Sequence, residues 1–223
     1  MPGPRRYRKP GELPAVIPVF PLTGALLLPR ARLPLNIFEP RYLAMVDAAM
    51  SDARLIGMIQ PKIPGAEETE DRPALSGAGC VGRIVEYSET DDGRYLITLL
   101  GITRFRVASG HGADAPFRQV AADYAPYAGD FLPGEAPGFA RERLTKALKP
   151  YLAERDMKTD WSAIEEAPVE TLVNALCMLC PFDPAEKQAL LEAPSLCERA
   201  DALVALLEMA NASVTPAGGT PLH

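Results

Sequence analysis

Histidine is almost absent from this chain: two in 223 residues, His111 and the terminal His223. That removes the side chain most often used as a general acid or base near neutral pH. His111 sits in the stretch SGHGADAP, read as an exposed loop that places no partner beside it, and His223 belongs to a frayed terminus. The patterns G-x-S-x-G, H-E-x-x-H and G-x-x-x-x-G-K-[ST] are missing too, so there is no nucleophile elbow, zinc-binding helix or phosphate-cradling loop. Nor is there a surplus of positive charge: 23 Lys and Arg stand against 29 Asp and Glu, net −6. Phosphate-dominated binding needs the opposite sign, so nucleic acid is not an expected partner. No apolar run approaches the ~20 residues that cross a bilayer. The N-terminal MPGPRRYRKPGELP has no apolar segment ahead of a cleavage site and reads as a disordered arm. Four cysteines, Cys80, Cys177, Cys180 and Cys197, without a secretory signal fit a reducing compartment. The expectation is a cytoplasmic protein, long enough to fold without disulfide, metal or cofactor.

What the chain does have is an apolar stretch broken by prolines, residues 16–50, around which the rest is organised. Residues 16–20, 25–28 and 33–38 read as three short strands. Pro18, Pro21, Pro29 and Pro34 lack a backbone donor, so these strands are edges or bend at the prolines. Glu39-Pro40-Arg41-Tyr42 then opens a helix to Met50, with proline at the first helical position and a carboxylate at the positive end of the dipole. Residues 55–60 read as a buried strand and 61–79 as a long polar surface loop. Residues 80–87 and 94–100 flank Thr90-Asp91-Asp92-Gly93, a hairpin signal in which Gly93 takes the positive φ without penalty. Gly101 marks a bulge or bend, and residues 104–107 and 119–124 supply two further strands. Beyond the Pro- and Gly-rich residues 126–138 the pattern turns helical. Leu144, Leu148 and Leu152 recur four apart, and Leu172, Val173, Leu176 and Leu179 line another face. Asp183-Pro184-Ala185-Glu186 and Ser195-Leu196-Cys197-Glu198 are helix starts of capping-box type.

Other patterns carry less chemistry than they suggest. Gly77-Ala78-Gly79-Cys80-Val81-Gly82 satisfies G-x-G-x-x-G, but a loop precedes it and a strand follows, the reverse of a dinucleotide site. Cys177-Met178-Leu179-Cys180 ends an apolar helix, where cysteines act as small core hydrophobes. Zinc would need further ligands that the spacing does not supply. Glu165-Glu166 and Asp91-Asp92 are adjacent, so their side chains diverge as solvated surface. Arg104 and Arg106 flank Phe105 with both guanidiniums on one strand face, an anion contact or, as the commoner explanation, an exposed polar face. No catalytic, metal or cofactor residue is assigned.

The segments IPVFPLTGALLLPRARLPLNIFEPRYLAMVDAAM and CVGRIVEYSETDDGRYLITLLGITRFRV resemble the Lon N-terminal (substrate-binding) domain family. The tail PFDPAEKQALLEAPSLCERADALVALLE is similar to that family's helical subdomain. The resemblance implies an α+β fold: a PUA-like curled β-barrel subdomain followed by a C-terminal α-helical bundle. The expected division is a disordered arm at 1–13, the β-rich subdomain at 14–127, a linker at 128–138, the helical subdomain at 139–210 and a disordered tail at 211–223. In full-length Lon proteases this domain precedes ATPase and peptidase modules. This chain ends soon after the helical tail, so the expectation is a stand-alone, non-enzymatic module that recognises a polypeptide or protein partner in proteolysis-related quality control. The residues proposed to meet that partner are Leu27, Phe38, Glu39, Arg41 and Tyr42. A PUA-like nucleic-acid binder, or a small-molecule enzyme using the 61–79 loop, are the competing readings.

Overall fold

The computed structural model describes residues 7–62, 74–111 and 115–214. Most of the expected 61–79 loop, the far termini and His223 lie outside them. Six strands form one mixed sheet: β1 (Val16–Pro21), β2 (Arg32–Ile37), β3 (Leu55–Pro61), β4 (Leu75–Glu89), β5 (Tyr95–His111) and β6 (Arg118–Asp123). Their order is β2-β5-β4-β3-β1-β6, and β6 pairs back onto β5. Only β1 and β3 run parallel. Six α-helices complete the described chain: α1 (Pro40–Met50), α2 (Arg141–Glu154), α3 (Trp161–Glu166), α4 (Val169–Leu179), α5 (Pro184–Glu192) and α6 (Leu196–Val214).

The prolines sit where the ladder tolerates them. Residues 16–19 of β1 pair with β6 and residues 19–21 with β3, so Pro18 has no β3 partner and Pro21 no β6 partner. Each proline therefore leaves its missing donor on an unpaired side. The run 25–28 is not a strand. It crosses beneath the sheet as irregular chain, with Leu26, Leu27 and Leu28 in the core. Two glycines make that crossing possible. A Cβ on Gly101 would lie 2.0 Å from the Leu28 carbonyl oxygen, and one on Gly82 would lie 2.7 Å from Leu27. Gly101 also bonds across the crossing, its N–H to Ala31 and its carbonyl from Arg30.

The bulge read at Gly101 is present, since the ladder to β4 shifts register there, but β5 runs unbroken through it rather than as two strands. Residues 75–79, read as loop, are likewise the start of β4. Gly79 there, with Gly57 of β3, lies against the fully buried Phe105 ring, whereas a Cβ on Gly77 would meet nothing within 4 Å. His111 is the last residue of β5, paired with Gln119, rather than part of a loop. The Asp-Gly hairpin forms as read, with Gly93 at φ 77°.

The helices start where the sequence places them. Asp183 and Glu186 make a reciprocal capping box on α5, and the Ser195 hydroxyl accepts the Glu198 N–H ahead of α6. The presumed linker is partly ordered as a 3-10 helix, Ala125–Phe131, which carries the buried Asp130. One continuous core then runs from Phe20 and Leu28 through Leu99 to Leu148, Tyr151 and Leu203. A second, smaller one around Ile17, Val81, Phe105 and Val120 fills the inside of the curled sheet.

Arg104 is a correction to the sequence reading. It is buried, not on an exposed polar face. Its guanidinium donates to both Asp130 carboxylate oxygens at 2.8 and 2.9 Å, and to the Leu191 and Ala193 carbonyls at 3.1 and 2.6 Å. The sheet, the 3-10 helix and the C-terminal end of α5 meet on this one side chain.

Two expectations follow for stability. Gly101→Ala should cost about 2–3 kcal/mol through overpacking against backbone, while Gly77→Ala, whose Cβ meets nothing within 4 Å, should be neutral or slightly stabilising. Asp130→Asn should cost about 3–5 kcal/mol, because it leaves Arg104 buried without a counter-charge. Urea unfolding followed by circular dichroism checks both.

Candidate functional site

β2 is the end of the sheet. It pairs with β5 through six residues, Arg32 to Leu100 at one end and Ile37 to Tyr95 at the other. On its other side it has no strand among the described residues. Its sequence alternates: Arg32, Pro34 and Asn36 are exposed, Leu33 and Leu35 are half-buried and Ile37 is buried. An exposed edge invites pairing by another chain, and Pro34 removes one donor from it.

The outer face beside this edge carries exposed apolar groups. Leu96 of β5, 46% exposed, stands between Asn36 of β2 and Ser88 of β4. Next along, Thr98 stands between Pro34 and Glu86. These six residues border a cavity of about 490 Å³. Arg32 and Glu86 close one end with an ion pair at 2.8 Å. At the other end the chain leaves β2 and Phe38 stands 64% exposed. On the other face of β5, Tyr95 packs against the core and edge-on against Tyr87 at 5.1 Å. A hydrogen bond with Asp47 of α1 raises the Tyr95 hydroxyl to about 12.

The five residues proposed from sequence separate into two groups. Phe38, Glu39 and Arg41 form an exposed corner at the start of α1. Glu39 and Arg41 pair at 2.8 Å, both partly exposed, and Arg41 also lies over the Tyr42 ring at 4.7 Å. Leu27 and Tyr42 are core instead, 1% and 8% exposed, with Tyr42 against Phe20 at 4.3 Å between ring centroids. Tyr42 packs α1 against β1, and Leu27 lies against β4 at Gly82. Sequence reasoning missed Pro34, Asn36 and Leu96. The alternation in RLPLNI was the available signal, but it does not say which side of the hairpin is covered.

The comparison that decides the family follows from this framework. The model of the ATP-dependent protease La (LON) substrate-binding domain matches residues 16–209. The chain belongs to that family. A Lon protease of Parabacteroides distasonis is 30% identical over 197 residues, 86% of this chain and 23% of that protein. A Lon protease of Desulfosudis oleivorans is 32% identical over 96 residues, 43% of this chain and 12% of that protein. The matched stretches thus span less than a quarter of either relative. The Lon N-terminal domain protein from Xanthomonas campestris has the same fold, with a TM-score of 0.59 and 22% identity over 85% of this chain and 97% of that one.

Elsewhere in this Lon-family chain the suggestive motifs have structural settings. The whole G-x-G-x-x-G pattern lies inside β4. Glu165, Glu166, Asp91 and Asp92 are exposed. Among the described residues no group of three or more His, Cys, Asp or Glu is arranged to hold a metal, and no helix is long and apolar enough to cross a membrane. Cys177 is buried in α4 and Cys180 caps its end. Burial pushes Cys177 up to about 12 and Cys180 to about 11, and raises Cys80 further. The thiolate is the reactive and metal-binding form, so these thiols are inert at neutral pH.

That has a pH consequence. Unfolded thiols titrate near ~8.5, so above this the native chain retains protons that the unfolded chain has released. The contribution is fully present below about pH 8.5 and is lost as pH rises toward 11, at about 1.4 kcal/mol per pH unit for each such thiol. Urea midpoints measured from pH 7 to 10.5 should fall accordingly, and Cys177→Ala should make the fall shallower.

Proposed function

We propose that this chain is a recognition module that takes an extended polypeptide along the open edge of β2, between the Phe38 corner and the Leu96 face. The observation that carries the reading is the coincidence of an unpaired strand edge with two exposed apolar residues, Leu96 beside it and Phe38 at its end. Strand addition draws affinity from main-chain hydrogen bonds and specificity from alternate side chains. Asn36, opposite Leu96, and Thr98, on the side of Leu96 away from Phe38, supply polar groups, and the Arg32–Glu86 pair bounds the strip. The family's description as a substrate-binding domain supports a protein substrate.

In this reading the module binds without catalysing. Its role is substrate recognition in cytoplasmic protein quality control. The run of pairings β5-β4-β3-β1-β6 and back to β5 supports regarding the sheet as a PUA-like barrel. The β-rich residues 14–127 and helical residues 139–210 are then two subdomains, joined through 128–138, that share one core.

Fluorescence anisotropy with a labelled, permanently unfolded polypeptide such as reduced carboxymethylated lactalbumin tests this. Phe38→Ala and Leu96→Asp should each weaken binding about tenfold or more, the scale of an interface anchor, with unfolding midpoints unchanged. Unaltered affinity in both variants would sink the reading.

A further inference from the structure

A second cavity, of about 420 Å³, lies at the junction of the sheet and the helical half. Three arginines line it: Arg30, Arg104 and Arg199. Arg30 is paired with Glu170 and Arg104 with Asp130. Arg199 is the exception. It is 4% exposed, yet among the described residues no carboxylate stands within ion-pair distance of it. Its Nε donates to the Leu190 carbonyl at 2.9 Å and its Nη1 to the Asn174 side chain at 3.3 Å. Its Nη2 is buried with no hydrogen-bond partner among the described residues.

A guanidinium with a donor unspent is costly in such a place, since a buried charge needs pairing and hydrogen bonding. Burial and the neighbouring Arg104 charge both disfavour its charged form. Position aggravates the cost: Arg199 stands in the first turn of the 19-residue helix α6, at the positive end of its dipole. The α5 carbonyl of Leu190 offsets only part of this. The same setting that disfavours a bare cation favours an anion, which both a guanidinium donor and the positive end of a helix dipole attract.

The charge count sets the kind of anion. The buried charged lining groups are Arg104 and Arg199 against Asp130, an excess of one positive charge. Arg30, itself partly exposed, is balanced by Glu170, and Glu135 is exposed at the rim. A single negative charge balances the set, whereas a dianion would meet Asp130 and Glu170 at close quarters. The other walls are apolar: Leu132, Pro133, Pro194 and Leu196. Leu132 is 69% exposed at the mouth.

We infer that this cavity binds a carboxylate carried on an apolar group, seated between the Arg199 guanidinium and the first turn of α6. The carboxylate is the free C-terminus of a polypeptide or a small free acid; the chemistry is common to both. The inference stands on residues other than those of the β2 strip and goes beyond the recognition reading.

Titration of the full chain, followed through the amide resonances of Leu196, Cys197 and Arg199, tests it. N-acetyl-leucine should give saturable shifts at these positions, and N-acetyl-leucinamide should give none. A pentapeptide ending in leucine, compared free and amidated, separates the sources. Binding of the free form tenfold tighter than N-acetyl-leucine assigns a polypeptide terminus, and equal binding assigns a small acid. Arg199→Gln should lose about tenfold or more in affinity, the scale of a hydrogen bond to a charged group. Phe38→Ala should leave the titration unchanged, which distinguishes this site from the β2 strip. If Arg199→Gln fails to fold, the acid–amide comparison on the unmodified chain still decides. Equal binding of acid and amide, no saturable shift, or tighter binding of inorganic phosphate overturns the inference.

Discussion

Arg104 leaves the middle of β5 and ends with the Asp130 carboxylate along one edge and the carbonyls of Leu191 and Ala193 at its tip. Taking both charges out of water costs several kcal/mol per ion, and good geometry with every donor engaged is what offsets it. All three guanidinium nitrogens are engaged, and the backbone N–H of Arg104 also donates to Asp130 at 2.9 Å. The pair is therefore a constraint as much as a stabiliser. It is satisfied in one arrangement of the sheet, the 3-10 helix and the end of α5. The lighter ties, Gln60 to the Pro184 carbonyl and Lys187 to the Gly24 carbonyl, lie around the same junction.

Backbone proximity is the second organising constraint. The chain before β2 passes so close to β5 that only glycine fits at position 101, and Phe105 fills the sheet interior because Gly57 and Gly79 make room. With Leu27 and Leu28 held inside by that crossing, no helix among the described residues covers the outer side of β2, β5 and β4. That is why Leu96 is exposed while its neighbours Ile97 and Leu99 are buried. The recognition strip is thus a by-product of where the core had to go.

Local signals were legible wherever local physics decides. Pro40 after Glu39 marked the start of α1, the Asp-Gly pair marked the β4–β5 turn, and the Asp183 and Ser195 caps marked α5 and α6. Residues 75–79 looked like the end of a loop because the stretch from 61 is polar, proline-bearing and acidic. The bulge read at Gly101 is present, and the glycine there also records the close approach of another segment. Residues 25–28 looked like a strand because an apolar run does not say whether a partner strand is within reach.

Of the candidate site, periodicity and family resemblance singled out Phe38, Glu39 and Arg41, since they sit at a boundary between two elements that the sequence marks clearly. What the sequence determined by itself was the starts of α1, α5 and α6 and the β4–β5 turn, because caps, turns and proline positions act within a few residues. Only the tertiary structure decided that Leu27 and Tyr42 are core, that Arg104 is a buried tie and that Arg199 has a donor to spare. Those depend on partners that are distant along the chain: Asp130 is 26 residues from Arg104, and Ala193 is 89. Burial and charge pairing are properties of neighbours in space, and folding alone assigns those neighbours.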